Sequence, residues 1–213
     1  PYDRAPELLA GARADFDVVG IHAHAGSGIS GDDLAAHREL VARMGDLARE
    51  VGDLEFVDVG GGFGVPYHED EPPLDLDAVA ETTREALGDV DARLAVEPGR
   101  YLVADAGVLL TRVNTVKPVD EGSGTVPVVA GVDAGMTDLL RPAMYDAYHP
   151  ICNLGGGVGG NGEDALDPDD RPATPVTVAG PICETGDILC RNRALADPIR
   201  GDLLAVGIAG AYG

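Results

Sequence analysis

Glu97-Pro98-Gly99-Arg100 places a carboxylate and a guanidinium three residues apart around a tight turn. A carboxylate facing a heteroaromatic ring nitrogen keeps that nitrogen protonated and strengthens the ring as an electron sink. Arginine recognises a phosphate or a carboxylate through two parallel donors. In isolation, an internal ion pair between Glu97 and Arg100 is the simpler reading. Upstream, His22-Ala23-His24-Ala25-Gly26-Ser27-Gly28 offers an imidazole for stacking and a hydroxyl beside backbone amides for an anion. The two histidines are expected to divide between the faces of one strand, leaving one for the site. Asp58-Val59-Gly60-Gly61-Gly62-Phe63-Gly64 lets backbone approach a phosphate with no Cβ in the way, although tight turns also use glycine for steric reasons alone.

Further clusters follow: Asp133-Ala134-Gly135-Met136, then Arg141 to His149, then Gly180-Pro181-Ile182-Cys183-Glu184-Thr185-Gly186-Asp187, and Ala209 to Gly213. Each has a structural alternative. Tyr145 and Tyr148 suit a core, Cys183 suits a small buried hydrophobe and Glu184 a solvated surface.

The first half repeats a β-branched run, a glycine turn and a helical period, which is the pattern of β/α units. The runs are Val18 to His24, Leu54 to Val59 and Leu94 to Glu97, so His24, Gly60 and Glu97 recur at intervals of 36 and 37 residues. Ligands collect at the C-terminal ends of strands in parallel β/α folds, and these residues lie there. Leu34 to Val51 and Leu76 to Leu87 predict packing helices, the first with Ser30 or Asp32 as N-cap and Gly52 past its end, the second closed by Gly88. From about residue 107 the pattern turns to strands, at Val108 to Val116, Val126 to Val132, Val176 to Ala179 and Leu203 to Val206. The expected domains are residues 1–106, part of a β/α barrel, and 107–213, a β-rich domain. Leu154 to Pro175 is expected to be a flexible surface loop without catalytic groups. Its glycines are not read as a phosphate loop, because no strand is expected to lead directly into them and no helix to follow.

The chain has 213 residues, with 15 Lys and Arg against 37 Asp and Glu for a net charge of −22, and Lys117 is its sole lysine. Nucleic acid is excluded as a partner by that balance. The acid excess suggests a protein adapted to high salt, which screens self-repulsion. No run approaches the roughly 18 to 20 apolar residues that span a bilayer, and no leader precedes the first strand, so the expected location is the cytoplasm. Cys152, Cys183 and Cys190 lack metal-ligand spacing, and no metal site or disulfide framework is expected. Pro1 and Gly213 are expected to be cut ends of a longer chain.

In this order, HAHAGSG (22–28), DVGGGFG (58–64), EPGRYLV (97–103), VDAGMTDLLRPAMYDAYH (132–149), GPICETGD (180–187) and GDLLAV with AGAYG (201–213) resemble the diaminopimelate decarboxylases, in the barrel-fold group of pyridoxal-phosphate enzymes. The resemblance implies a partial (β/α)8 barrel of the TIM type followed by a β-rich domain, and decarboxylation of meso-2,6-diaminopimelate to L-lysine and CO₂. It implies that His24 stacks on the ring of pyridoxal 5'-phosphate, that Ser27, Gly61 and Gly62 hold the phosphate, and that Glu97 meets the ring nitrogen within the turn of Pro98 and Gly99. Arg100 is implied in binding phosphate and the substrate carboxylate, and Tyr212 in closing over the phosphate and substrate. Arg141, Tyr145 and Glu184 are implied at the distal end of the substrate, and Cys183 as proton donor after CO₂ leaves. Cys183 and Glu184 would enter the site of a second subunit, making a homodimer. The alternatives are a related decarboxylase for carboxynorspermidine, arginine or ornithine, and a non-catalytic binding relative. The family joins its cofactor to a lysine on an early barrel strand. Lys117 stands at the wrong motif, so this stretch alone is expected to be inactive and, with open sheet edges, poorly able to fold.

Overall fold

Strand β2 (Phe56–Gly61) sends Val57 and Val59 into a core and turns Asp58 to the other face, as the period of two requires. β1 (Gly20–His22) and β3 (Arg93–Glu97) pair with it in parallel, in the order β1-β2-β3. The registers are Ile21 to Val57, His22 to Asp58 and Val57 to Leu94. An irregularity between Asp58 and Gly61 then brings Gly61 opposite Glu97. Three parallel strands linked by helices form the barrel part of the fold expected from the sequence.

The computed structural model describes residues 2–30, 34–118, 128–156 and 167–212, and the chain divides into residues 1–102 and 103–213. In the first unit α1 (Ala5–Ala12) precedes β1, α2 (Leu34–Val51) joins β1 to β2, and α3 (Leu76–Leu87) joins β2 to β3. A short helix, α4 (Arg100–Val103), follows β3. α2 buries His37, Val41, Met44, Leu47 and Ala48 at spacings of three and four residues, against Ile21, Val57, Val59 and Leu87. Val41, Met44 and Leu47 each contribute roughly 1.5–3 kcal/mol by leaving water. α3 starts where the Asp75 carboxylate accepts from the Ala78 amide at 3.0 Å, and ends at Gly88 with φ +66°. Gly52, at φ +61°, follows α2 as expected. Asp32, the alternative cap of α2, lies outside the described residues.

Leu94 and Val96 lie on the helix side of β3 yet remain exposed. They line an apolar groove of about 320 Å³ with Phe63, Val79, Thr83 and Tyr101. Both faces of a parallel sheet are normally covered, and among the described residues the helix side of β3 is left partly open.

The second unit is a six-stranded sheet in the order β6-β9-β4-β5-β7-β8. Its strands are β4 (Leu109–Pro118), β5 (Val128–Val132), β6 (Ile151–Gly155), β7 (Ala173–Ala179), β8 (Ile188–Ala196) and β9 (Leu203–Val206), and a short α-helix, α5 (Leu140–Tyr145), lies between β5 and β6 in the chain. β5 and β7 run parallel and the other neighbours antiparallel. β7 alternates burial residue by residue, and Val176 and Val178 join Val113, Val132, Leu139, Leu204 and Val206 in the core. Lys117 is exposed on β4.

The expectation of a flexible loop from Leu154 to Pro175 is corrected at both ends. Leu154 and Gly155 belong to β6, which leads straight into the glycines, and Ala173 to Pro175 belong to β7. Residues 157–166, within that stretch, lie outside the described residues. Arg171 is buried and pairs with Asp202 through two contacts, at 2.5 and 3.3 Å. Asp202 also accepts from Asn153 Nδ2 and the Ile199 amide, both at 2.9 Å, so this network ties β6 and the turn before β9 to the start of β7. A buried charge pair of this kind must be fully hydrogen-bonded to be tolerated, and this one is. No helix among the described residues is long and apolar enough to cross a membrane.

Candidate active site

The strand register sets the first half of the site. His22 and Asp58 sit side by side on β1 and β2, facing away from the helix-side core, and Glu97 comes level with them past the irregularity in β2. One ligand-type atom from each of the three falls within 4.8 Å of the others. The His22 Nε2–H donates to Glu97 Oε2 at 3.0 Å. His24 lies just beyond the end of β1, and the Gly61 amide donates to its Nδ1 at 3.2 Å, so the proton of the neutral ring sits on Nε2. The expectation that only one histidine enters the site is therefore wrong. A strand alternates every residue, so positions 22 and 24 share a side: His22 meets Asp58 and Glu97, and His24 meets Gly61.

The internal ion pair offered for the Glu97 turn does not form, since Glu97 is taken by His22. Arg100, only 8% exposed, instead donates from Nη2 to Ser27 Oγ at 2.9 Å and from Nη1 to the Tyr67 hydroxyl at 2.8 Å. Its guanidinium carbon stands 5.6 Å from the centre of the Tyr67 ring. The Tyr67 and His68 amides both donate to the Glu71 carboxylate, which holds that carboxyl below its usual range and pins the Tyr67 loop. A hydroxyl and a guanidinium from separate strand ends thus meet at one spot beside the glycine turn, an arrangement suited to an oxyanion.

The glycines are explained by close backbone approach. A Cβ on Gly61 would fall 1.8 Å from the Glu97 carbonyl oxygen, and one on Gly62, at φ +90°, 2.0 Å from that of Gly26. Gly62 O accepts from the Gly28 and Ile29 amides at 2.9 and 2.7 Å, binding the serine turn to the glycine turn. Pro98 and Gly99 begin the α4 turn, with Gly99 at φ +44° and their carbonyls accepting from the Tyr101 and Leu102 amides.

The remaining sequence-predicted residues lie in the second unit. Arg141 is on α5, where its Nη1 faces His149 Nε2 at 3.5 Å. His149 is wholly buried, and its Nδ1–H donates to the Gly207 carbonyl at 3.0 Å, which leaves Nε2 as the acceptor. Tyr145 ends α5 and is exposed, so it is not core. Arg193 sits 3.9 Å over the Tyr148 ring. Cys183 and Glu184 are exposed on the turn between β7 and β8. The buried thiol is Cys190, whose pKa burial pushes up. Tyr212 is exposed with φ +59°.

The sequence reading missed His22, Tyr67 and His149 as parts of these arrangements. His149 ends a motif already singled out, which was the available signal. Tyr67 carried none: its link to Arg100 spans 33 residues and exists only through loop geometry.

Residues 3–104 match the family described as pyridoxal-dependent decarboxylase, pyridoxal binding domain, and residues 74–210 match its C-terminal sheet domain. The diaminopimelate decarboxylase of Methanothermobacter thermautotrophicus is 41% identical over 219 residues, covering 98% of this chain and 47% of that protein. That of Deinococcus radiodurans is also 41% identical, over 99% of this chain and 48% of its own length. The chain therefore spans about half the length of the curated relatives it matches. Among solved structures, diaminopimelate decarboxylase from Helicobacter pylori complexed with L-lysine superposes with a TM-score of 0.76 at 32% identity, over 100% of this chain and 49% of that one. The enzyme from M. jannaschii in complex with L-lysine gives 0.76 at 35%, over 98% and 46%.

Proposed function

This chain belongs to the pyridoxal-dependent decarboxylase family, and from that premise we propose that the whole protein decarboxylates meso-2,6-diaminopimelate to L-lysine and CO₂. The observation that carries the reading is the meeting of Arg100 with Ser27 beside the glycine turn, one strand end from Glu97 and His24. These residues fit pyridoxal 5'-phosphate: two side-chain donors and a turn without Cβ atoms for the phosphate, an imidazole for the ring face, and a carboxylate for the ring nitrogen. When bound, the cofactor supplies an electron sink for the carbanion left by CO₂. Glu97, steadied by the His22 donor, holds a proton at the ring nitrogen. Ser27, Arg100 and the backbone around Gly61 and Gly62 hold the phosphate, and Tyr67 sets the plane of the Arg100 guanidinium. Tyr212 closes over the phosphate, and Arg100 also meets the substrate carboxylate.

Selectivity comes from the second unit. Diaminopimelate carries an extra ammonium and an extra carboxylate, which Glu184 and Arg141 match, with Tyr145 beside them. A substrate without the distal carboxylate would forgo the charge-assisted bond to Arg141, worth about 1.5–3 kcal/mol. Cys183 returns a proton to the substrate carbon after CO₂ leaves. In this reading the enzyme is a cytoplasmic homodimer in which Cys183 and Glu184 serve the partner subunit's site. Residues 1–106 supply the barrel part and 107–213 the β-rich part. The edge position of β3 in the sheet and the exposure of Leu94 and Val96 on its helix-side face support completion of the barrel by further strands, one of them bearing the lysine that Lys117 does not replace.

The test is CO₂ release by the full-length protein from diaminopimelate, ornithine, arginine and carboxynorspermidine. Diaminopimelate is expected to give the highest kcat/KM, and a preference for any of the others would refute the assignment.

A further inference from the structure

Cys183 and Glu184 are exposed, so their placement must come from the backbone that carries them. We propose that Asp187 is the positioning residue for that turn, holding it to a second turn at Asp133 to Asp138. Asp187 is 2% exposed, and its carboxylate accepts from the Met136 amide through Oδ1 at 2.6 Å and from the Ile182 amide through Oδ2 at 2.7 Å. Its own amide donates to the Glu184 carbonyl at 3.1 Å, and its carbonyl accepts from the Gly180 amide at 2.9 Å. Residues 180–187 therefore close on Asp187 from within, while Oδ1 reaches out to the other turn. That second turn is itself locked, because the Asp138 and Leu139 amides both donate to the Gly135 carbonyl at 2.9 Å.

The glycines on either side carry the same message. A Cβ on Gly135 would stand 2.4 Å from Asp187 Oδ1, and one on Gly180 2.3 Å from Oδ2. Both backbones approach the carboxylate more closely than any side chain permits. Three positions from two separate motifs are thus explained by one buried anion with amide donors on two sides, the geometry in which such bonds are strongest. Only a carboxylate accepts at both oxygens. Asparagine has the same shape, but its amide group would face one of the two N–H donors, turning a bond into a repulsion.

The inference rests on the proposed roles of Cys183 and Glu184, and two readouts separate the ideas. In the full-length holoenzyme, Asp187→Asn is expected to retain bound cofactor and to lower kcat/KM for diaminopimelate at least tenfold. The alkylation rate of Cys183 by iodoacetamide, followed by mass spectrometry, is expected to change at least threefold while that of Cys152 does not. Unaltered kcat/KM and Cys183 reactivity in a variant that merely melts earlier would show that Asp187 only holds the sheet together. A fall in kcat/KM with Cys183 reactivity unchanged would equally overturn the proposal. Should Asp187→Asn fail to fold, Gly135→Ala, which crowds the same carboxylate from the other turn, is judged by the same two assays. If the wild-type enzyme releases no CO₂ from diaminopimelate, the functional reading falls, and the alkylation rates alone decide whether Asp187 places the turn.

Discussion

Replacing Tyr67 by phenylalanine removes one hydroxyl and keeps the ring over which Arg100 lies. What is lost is the 2.8 Å bond from Arg100 Nη1, while the 2.9 Å bond from Nη2 to Ser27 remains. Hydrogen bonds to charged groups contribute about 1.5–3 kcal/mol when both partners are shielded, and Tyr67 is only half-buried, so about 1–2 kcal/mol is the working figure. Arg100 is nearly sealed from water, so solvent replaces the lost acceptor poorly and its guanidinium would swing from the plane that suits a phosphate. At 1.4 kcal/mol per decade, affinity for pyridoxal 5'-phosphate should fall about 5- to 30-fold. The assay is a titration of the full-length apoprotein with pyridoxal 5'-phosphate and, in parallel, with pyridoxal, which has no phosphate. Pyridoxal binding should change less than about twofold, since the lost bond acts only through Arg100. Equal losses for both ligands, or no loss for the phosphate ester, would refute the idea that Tyr67 orients Arg100 toward an anion.

Other expectations test the scaffold. Arg171→Ala leaves the buried Asp202 without its base and should cost the full-length protein about 3–5 kcal/mol in urea unfolding, whereas replacing both residues by apolar ones should cost much less; similar losses from the two would contradict the ion-pair account. His37 sits between α2 and α3, its Nε2–H donating to Thr83 Oγ1 at 2.8 Å while Nδ1 is buried without a partner, and burial lowers its pKa below 6.5. The unfolded chain therefore takes up a proton below pH 6.5 that the folded chain refuses, so this contribution is intact above pH 6.5 and stability declines as pH falls from there toward the folded pKa. His37→Gln should flatten that slope in melting curves between pH 5.5 and 7.5 relative to wild type (about one unit either side of the reference value). A net charge of −22 should make folding of the full-length protein improve from low to molar salt, and undiminished stability without added salt would remove the case for halophilic adaptation.

Local pattern and motif alone determined much of this molecule. The 3.6-residue period of Leu34 to Val51, the alternation around Asp58 and the glycines at 52 and 88 are instructions a short stretch carries by itself, and α2, β2 and α3 follow them. The ordered motifs likewise carried the family, because each is a contiguous run of residue types. β6 and β8 were less legible. Ile151–Gly155 runs into the glycine-rich stretch that masks it, and β8 is interrupted at Asn192, which takes φ +46° where the strand passes Thr177.

What only the tertiary structure decided is which distant groups touch. Glu97 meets His22 rather than Arg100, Arg100 meets Tyr67, and Asp187 meets Met136, across separations of 75, 33 and 51 residues. These pairings depend on the register between parallel strands and on where turns close. A shift of one residue along β2 would turn Asp58 into the core and take it away from His22 and Glu97. Residue types state what chemistry is possible, and the register of the folded strands selects which of those possibilities share a site.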